Sequence, residues 1–348
     1  MGLRSGPVMD DVAPEGIDPA AVTRWYETHV PGARGPLDLV RLTGGHSNLT
    51  YLVTDAGGAR TVLRRPPTGE LLPSAHDMGR EHRVIAALGP VGIPVPVAIA
   101  MCVDPEVTGA PFFVMSFVDG RVLHEEADVI AWLDGPGRRR AGESLIEVAA
   151  ALHRVDVEQI GLGDLGRHDG YVGRQMRRWY GQYQQSRGAT PLMDRVHDRL
   201  LERLPAQQRV SVVHGDYRLG NCICGADGSV AAVLDWEIST LGDPLADLGY
   251  ALATWAEPGE TRTISSSPSG RPGFASRADL AERYRSRSDL DCSGLDVYLA
   301  FSYWKLACIS QGVWARYDSG QMAADGVDVD GIRQSVDWLS ERAAASLG

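Results

Sequence analysis

The chain has 348 residues, beyond the roughly 250 to 300 at which one hydrophobic core stops growing, so two packed units are expected. With 34 Lys and Arg against 45 Asp and Glu its formal charge is −11, which argues against nucleic acid or an anionic membrane as partner and suits a cationic or metal-chelated one. Hydrophobic residues at 44% and charged residues at 23% are the proportions of a soluble globular enzyme.

Taken in chain order, the opening "MGLRSGPVMDDVAPEGIDP" lacks the apolar segment of a signal peptide, and no later stretch reaches the roughly 18 apolar residues of a membrane span; a cytoplasmic location is expected. A helix is predicted near 19 to 30, stopped by "PG" at 31 and 32. Three short strands follow, "LDLVRLT", "NLTYLVT" and "RTVLRR", joined by the hairpin turns "GGHS" and "DAGGA". A helix around 77 to 88 and apolar runs at 93 to 103 and 112 to 118 complete a small antiparallel sheet carrying one helix.

The segment "DGRVL" reads as a connector, dividing a first unit, 1–118, from a second, 119–348. Beyond it helical patterns dominate, at 141–153, 170–186, 190–204, 277–287, 293–314 and 329–346, interrupted by strands near 209–213, 221–224 and 230–235. The fold class expected is α+β, with strands concentrated in the first unit and helices in the second. "TISSSPSGRPG" at 263–273 reads as a surface loop. "GLGDLG" at 161–166 has the letters of a dinucleotide fingerprint, but no apolar strand precedes it and no helix follows at once, so it is read as a loop. The five cysteines, Cys102, Cys222, Cys224, Cys292 and Cys308, are odd in number and scattered, which predicts reduced thiols rather than a disulfide framework. Cys222 and Cys224 alternate along a strand, a pattern better explained by one core-facing side than by zinc.

The chemistry concentrates in "VVHGDYRLGNCICGADGSVAAVLDWE" at 212–237. Phosphoryl transfer from ATP needs a carboxylate beside the attacking hydroxyl, an amide and a second carboxylate on magnesium, and a cation on the donor phosphates. Asp216 and Asn221 have the spacing at which protein kinases place the first two, and Asp235 closes the strand "VAAVL". Oxygen ligands of this kind favour Mg2+, which keeps several waters and shares itself with the phosphates of ATP.

"HGDYRLGN" followed by "LDWE" resembles the hallmark of the aminoglycoside phosphotransferase and choline kinase-like superfamily. "RRPP" at 64–67, "YVGRQMRRWY" at 171–180 and "EISTLGDPLADLGYALATW" at 237–255 resemble the branch containing the kinase domain attached to acyl-CoA dehydrogenase family members 10 and 11. The likeness runs from about Leu37 to the end. It implies a bilobal protein kinase-like fold, a small antiparallel-sheet N-lobe and a mostly helical C-lobe. It makes Asp216 the residue that orients and deprotonates the acceptor hydroxyl, with Asn221 and Asp235 on magnesium, His214 bracing the loop, and Asp247 supporting it. Gly44, Gly45, His46, Ser47 and Asn48 occupy the place of the phosphate-covering hairpin tip. Arg64 stands where the family has a lysine on the ATP phosphates, and Glu81 is the helix acid that would hold it; an arginine can still grip phosphate, through two donors instead of a point charge. Arg218, inside the loop, is placed to add positive charge near the transferring group.

Arg174, Arg177 and Arg178 fall at i, i+3 and i+4 and so share one helix face, either as a solvated surface or as a receiver for the phosphates of a coenzyme A-linked substrate. Met176, Trp179 and Tyr183 read as packing, and His153 as a structural histidine. The expected acceptor is a hydroxylated small molecule: a hydroxyacyl-CoA by the branch resemblance, an aminoglycoside or another amino-alcohol by the wider superfamily and the negative charge. A catalytically silent nucleotide-binding module is the reading from another class, motivated by Arg64.

Overall fold

The computed structural model describes residues 14–42, 48–69, 77–260, 267–322 and 326–348. Two compact units emerge, one formed by Met1–Asp119 together with Ala232–Glu237, the other by Gly120–Ala231 and Ile238–Gly348. No described helix is long and apolar enough to cross a membrane.

The first unit, called here the sheet unit, begins with α1 (Pro19–His29), whose N-terminus is capped by the Asp18 carboxylate. It continues through β1 (Asp38–Arg41), β2 (Leu49–Thr54), β3 (Arg60–Arg65), α2 (Met78–Leu88), β4 (Ala98–Cys102), α3 (Pro105–Thr108) and β5 (Phe112–Ser116). The strands form one sheet in the order β1-β2-β3-β5-β4, antiparallel at every pairing. β2 alternates buried and half-buried residues as a one-sided strand should. Its turn into β3 is set by Asp55, whose Oδ1 accepts the amides of Gly57 and Ala59, both at 2.8 Å. Tyr51, Leu63, Phe112 and Val114 from the sheet and Trp25 and Tyr26 from α1 make the core on one face.

The second, the helical unit, contains β6 (Arg121–Val122), α4 (Glu126–Trp132), α5 (Gly135–Leu152), α6 (Tyr171–Gln185), α7 (Pro191–Arg203), β7 (Ser211–Val213), β8 (Cys222–Cys224), the first half of β9 (Val230–Val233), β10 (Thr240–Gly242), α8 (Pro244–Ala253), α9 (Arg277–Arg287), α10 (Leu295–Asp318) and α11 (Val329–Ser346). α10 is buried through most of its first four turns, and α6, α7, α8 and α11 all pack on it. Helix α8, "PLADLGYALA", is buried at all ten residues. A helix covered on every side shows no amphipathic period, which is why its sequence does not announce it. α5 starts six residues earlier than its periodicity predicts, because Asp134 caps the Gly137 amide and Pro136 sits in the first turn, where proline is tolerated. The "GLGDLG" stretch is a loop, and Cys222 and Cys224 both face the core while Ile223 between them is half-buried.

Candidate active site

In the helical unit the site is built at the end of β7. This strand, "SVV", is fully buried and pairs antiparallel with β10, Val213 opposite Thr240. Past it the chain turns sharply at Gly215, φ +87°, a conformation that favours glycine. The Asp247 carboxylate, in the first turn of α8, accepts the amides of His214 at 2.6 Å and Gly215 at 2.9 Å. Burial pushes this carboxyl up, but His153, His214 and the Gly215 amide outweigh it and hold Asp247 below the usual carboxylate value.

The turn delivers Asp216, whose side chain remains 25% exposed. Asn221, in a short helical turn before β8, donates Nδ2 to Asp216 Oδ2 at 2.8 Å and to the Asp216 carbonyl at 2.9 Å. Arg218 Nε lies 3.2 and 3.4 Å from the two carboxylate oxygens. Tyr250 of α8 lies close enough to Asp216 to feel its charge: burial, and then the Asp216 carboxylate, raise the Tyr250 phenol well above the ordinary value. Asp216 is therefore a carboxylate fixed by Asn221 and Arg218 and still partly open to solvent.

Lys305 escapes the sequence reading. It is 7% exposed on α10 and donates Nζ to the Gly215 carbonyl at 2.9 Å. The available signal is a lone charge in an otherwise uncharged run, the stretch of α10 between Asp296 and Arg316.

The sheet unit gathers a second group. Arg64 on β3 donates Nε to Glu81 Oε2 at 2.9 Å and Nη2 to Asp235 Oδ1 at 2.6 Å. Asn48 Nδ2 donates to Glu237 Oε2 at 2.8 Å. Asp235, expected to close a strand, lies two residues past the end of β9 and has φ +66°, the one non-glycine residue with positive φ among the described residues. Asp tolerates this region better than most residues, and strain of this kind clusters at functional sites. Arg64 and Glu81, 11% and 4% exposed at the side chain, form a buried pair. Burial would lower the Arg64 guanidinium, but Glu81, Asp235 and Glu237 together raise it. Glu81 is pushed up to about 7 by burial, Arg64 opposing and Asp235 and Glu237 adding to the shift. The two directions agree once the charges are counted, since one cation faces three carboxylates. Gly44, Gly45, His46 and Ser47 lie outside the described residues.

Among the described residues no three His, Cys, Asp or Glu side chains form a metal cage. The amide oxygen of Asn221 in the helical unit and the carboxylate of Asp235 in the sheet unit are each hard donors, of the kind magnesium takes and unlike the thiolates and imidazoles of zinc sites.

The three arginines of α6 part company. Arg174 and Arg177 line an open cleft of about 480 Å³ with Arg167, His168, Asp169 and Gly170. Arg178 instead lies over the Trp179 ring, 5.3 Å from its centroid. Arg174 Nη2 donates to the Arg167 carbonyl at 2.9 Å, and its guanidinium is held below the usual value by burial and then by the charge of Arg167. Met176 and Tyr183 are buried, and His153 bonds the Tyr284 hydroxyl at 2.8 Å.

Residues 38–277 match the model of the phosphotransferase enzyme family. The chain is 35% identical over 323 residues to acyl-CoA dehydrogenase family member 11 of Gallus gallus, covering 89% of this chain and 41% of that protein. It is 33% identical over 296 residues to family member 10 of Mus musculus, covering 83% and 27%. The chain thus spans less than half the length of these relatives. A crystal structure from Ralstonia eutropha JMP134, assigned as an aminoglycoside phosphotransferase, superposes with a TM-score of 0.81 at 34% identity over 95% of this chain and 98% of that one.

Proposed function

The chain belongs to the phosphotransferase enzyme family, and we propose that it transfers the γ-phosphate of ATP to the hydroxyl of a small molecule, with a hydroxyacyl-CoA as acceptor. The observation that carries this reading is the convergence of Asn221 and Arg218 on the partly exposed carboxylate of Asp216. A carboxylate aimed in this way can accept a hydrogen bond from an alcohol and take its proton as the oxygen bonds to phosphorus and ADP leaves. Arg218 adds positive charge beside the transferring group. Arg64, steadied by Glu81, holds the donor phosphates; Asn48 and, outside the described residues, Gly44, Gly45, His46 and Ser47 are assigned to the same nucleotide by the family resemblance. Asn221 and Asp235 would hold magnesium, which when bound would supply positive charge to the phosphates of ATP.

For the acceptor, the basic lining of the α6 cleft supports an anionic handle. Arg174 and Arg177, with Arg167 and His168, suit the phosphates of coenzyme A and oppose a polycationic antibiotic there. Arg178, stacked on Trp179, has a smaller part than its place in the sequence implies.

The test is magnesium-dependent transfer from γ-labelled ATP to 4-hydroxypentanoyl-CoA, 4-hydroxypentanoyl-pantetheine and kanamycin A, with Asp216→Ala as control. We expect transfer to the CoA thioester, abolished by the control. The double variant Arg174→Glu, Arg177→Glu should raise KM for that thioester by about tenfold or more, from the charged hydrogen bonds lost, while KM for ATP and for the phosphate-free pantetheine stays within about twofold. Equal loss for ATP and CoA thioester removes the arginine assignment. Transfer to kanamycin alone makes the protein an aminoglycoside kinase, and nucleotide binding without any transfer makes it a silent module.

A further inference from the structure

Lys305 is the only lysine in the sequence; the other 33 of the 34 basic residues are arginines. A chain that meets every other need for a cation with a guanidinium keeps an ammonium at one position, and that position is buried against the loop carrying Asp216. The two groups differ physically, because a guanidinium is a wide planar fork with five donors and an ammonium is a compact point charge.

The surroundings of Lys305 use that compactness. Nζ donates to the Gly215 carbonyl at 2.9 Å and sits 4.8 Å from the centroid of the Tyr250 ring, within reach of a cation–π attraction. Gly215 is thereby held at both ends, its amide by the Asp247 carboxylate from α8 and its carbonyl by the Lys305 ammonium from α10. Tyr250, whose ring the ammonium faces, also lies beside Asp216, whose charge raises its phenol. Burial pulls the ammonium below its usual pKa, Asp247 and Asp216 draw it back up, and Arg178 opposes them.

We propose that Lys305 is a positioning residue for phosphoryl transfer, which sets the direction of the Asp216 carboxylate by anchoring the preceding carbonyl and the ring of Tyr250. A buried charge kept only for stability could be exchanged for a well-packed apolar group at little cost to turnover. A positioning charge cannot, since displacing a reacting group by about 1 Å costs on the order of 100-fold in rate.

The inference rests on Asp216 orienting the attacking oxygen, so the experiment carries both questions. Magnesium-dependent ATP hydrolysis, with water as acceptor, is measured for the full chain and for Lys305→Met, Lys305→Arg and Asp216→Asn, with melting temperatures alongside. Expected for folded Lys305→Met is a fall in kcat of about 30-fold or more with KM for ATP within about twofold, and for Lys305→Arg a smaller loss, since the charge remains and the single directed donor does not. If Lys305→Met does not fold at the assay temperature, Lys305→Gln replaces it with the same expectation. A folded neutral variant within about threefold of the parent kcat, or one whose KM for ATP rises at constant kcat, overturns the role of Lys305. Asp216→Asn hydrolysing at the parent rate overturns instead the reading of Asp216 itself.

Discussion

Two carboxylates pair with the Arg64 guanidinium in the sheet unit, a third charge, Glu237, lies near, and the most buried of the three responds. Glu81 rises from the usual 4.5 to about 7. Because the folded value lies above the unfolded one, the stability linked to its proton is complete below about pH 4.5 and is lost as the pH climbs through about 7. A shift of about 2.5 pH units corresponds to about 3 kcal/mol. Glu81→Gln keeps an acceptor for Arg64 and cannot ionise, so its stability relative to the parent should improve by up to that amount between pH 5 and pH 8. Urea midpoints at the two pH values measure this, and parallel curves would show that Glu81 titrates normally. Residues of this kind are half legible in sequence. Arg64 and Glu81 are reached through the family resemblance, by their places in β3 and α2, whereas the contact of Lys305 with Gly215 spans 90 positions and no periodicity encodes it.

Helix α10 can deliver Lys305 only because α8 lets it approach. Gly249 of α8 faces the backbone of Tyr298 on α10, and a Cβ built there would lie 2.7 Å from the Tyr298 carbonyl oxygen. Alanine in place of glycine inside a helix ordinarily stabilises by up to about 1 kcal/mol. At Gly249 the sign should reverse, with a loss of about 1 to 3 kcal/mol as the two helices are forced apart. Gly181 of α6, which has open space around it, is the control and should be neutral or stabilising as alanine. Calorimetric melting of both variants tests the pair, and a stabilised Gly249→Ala would refute the close approach. Tyr298 also bonds Asp243, the cap of α8, at 2.7 Å, so the same helix pair is tied at its end as well as along its length. None of this is visible before folding, because α8 is buried on every side and carries no stripe to read.

The division into units follows the chain less simply than a single connector predicts. Strands β1, β2 and β3 fall close to where alternation places them, and α9 and α11 match their expected limits, since these elements bury one face and show it. Strands β6 and β10, two and three residues long, are too short to show a period. The return of Ala232–Glu237 to the sheet unit has no compositional mark. It matters because this short segment brings Asp235, 171 positions from Arg64, to complete the ion pairs of β3. A fragment ending at Asp119 should therefore be less protected in amide exchange along β3 and α2 than the same residues in the whole chain, with Arg64 and Glu81 left without Asp235 and Glu237. Protection equal to that of the intact protein would show that the sheet folds unaided. For anyone recombining such enzymes, the first lobe is not a modular cassette. Grafting it from a relative transplants half of a handshake, and compatibility will be decided by six residues that no cut at the connector carries along.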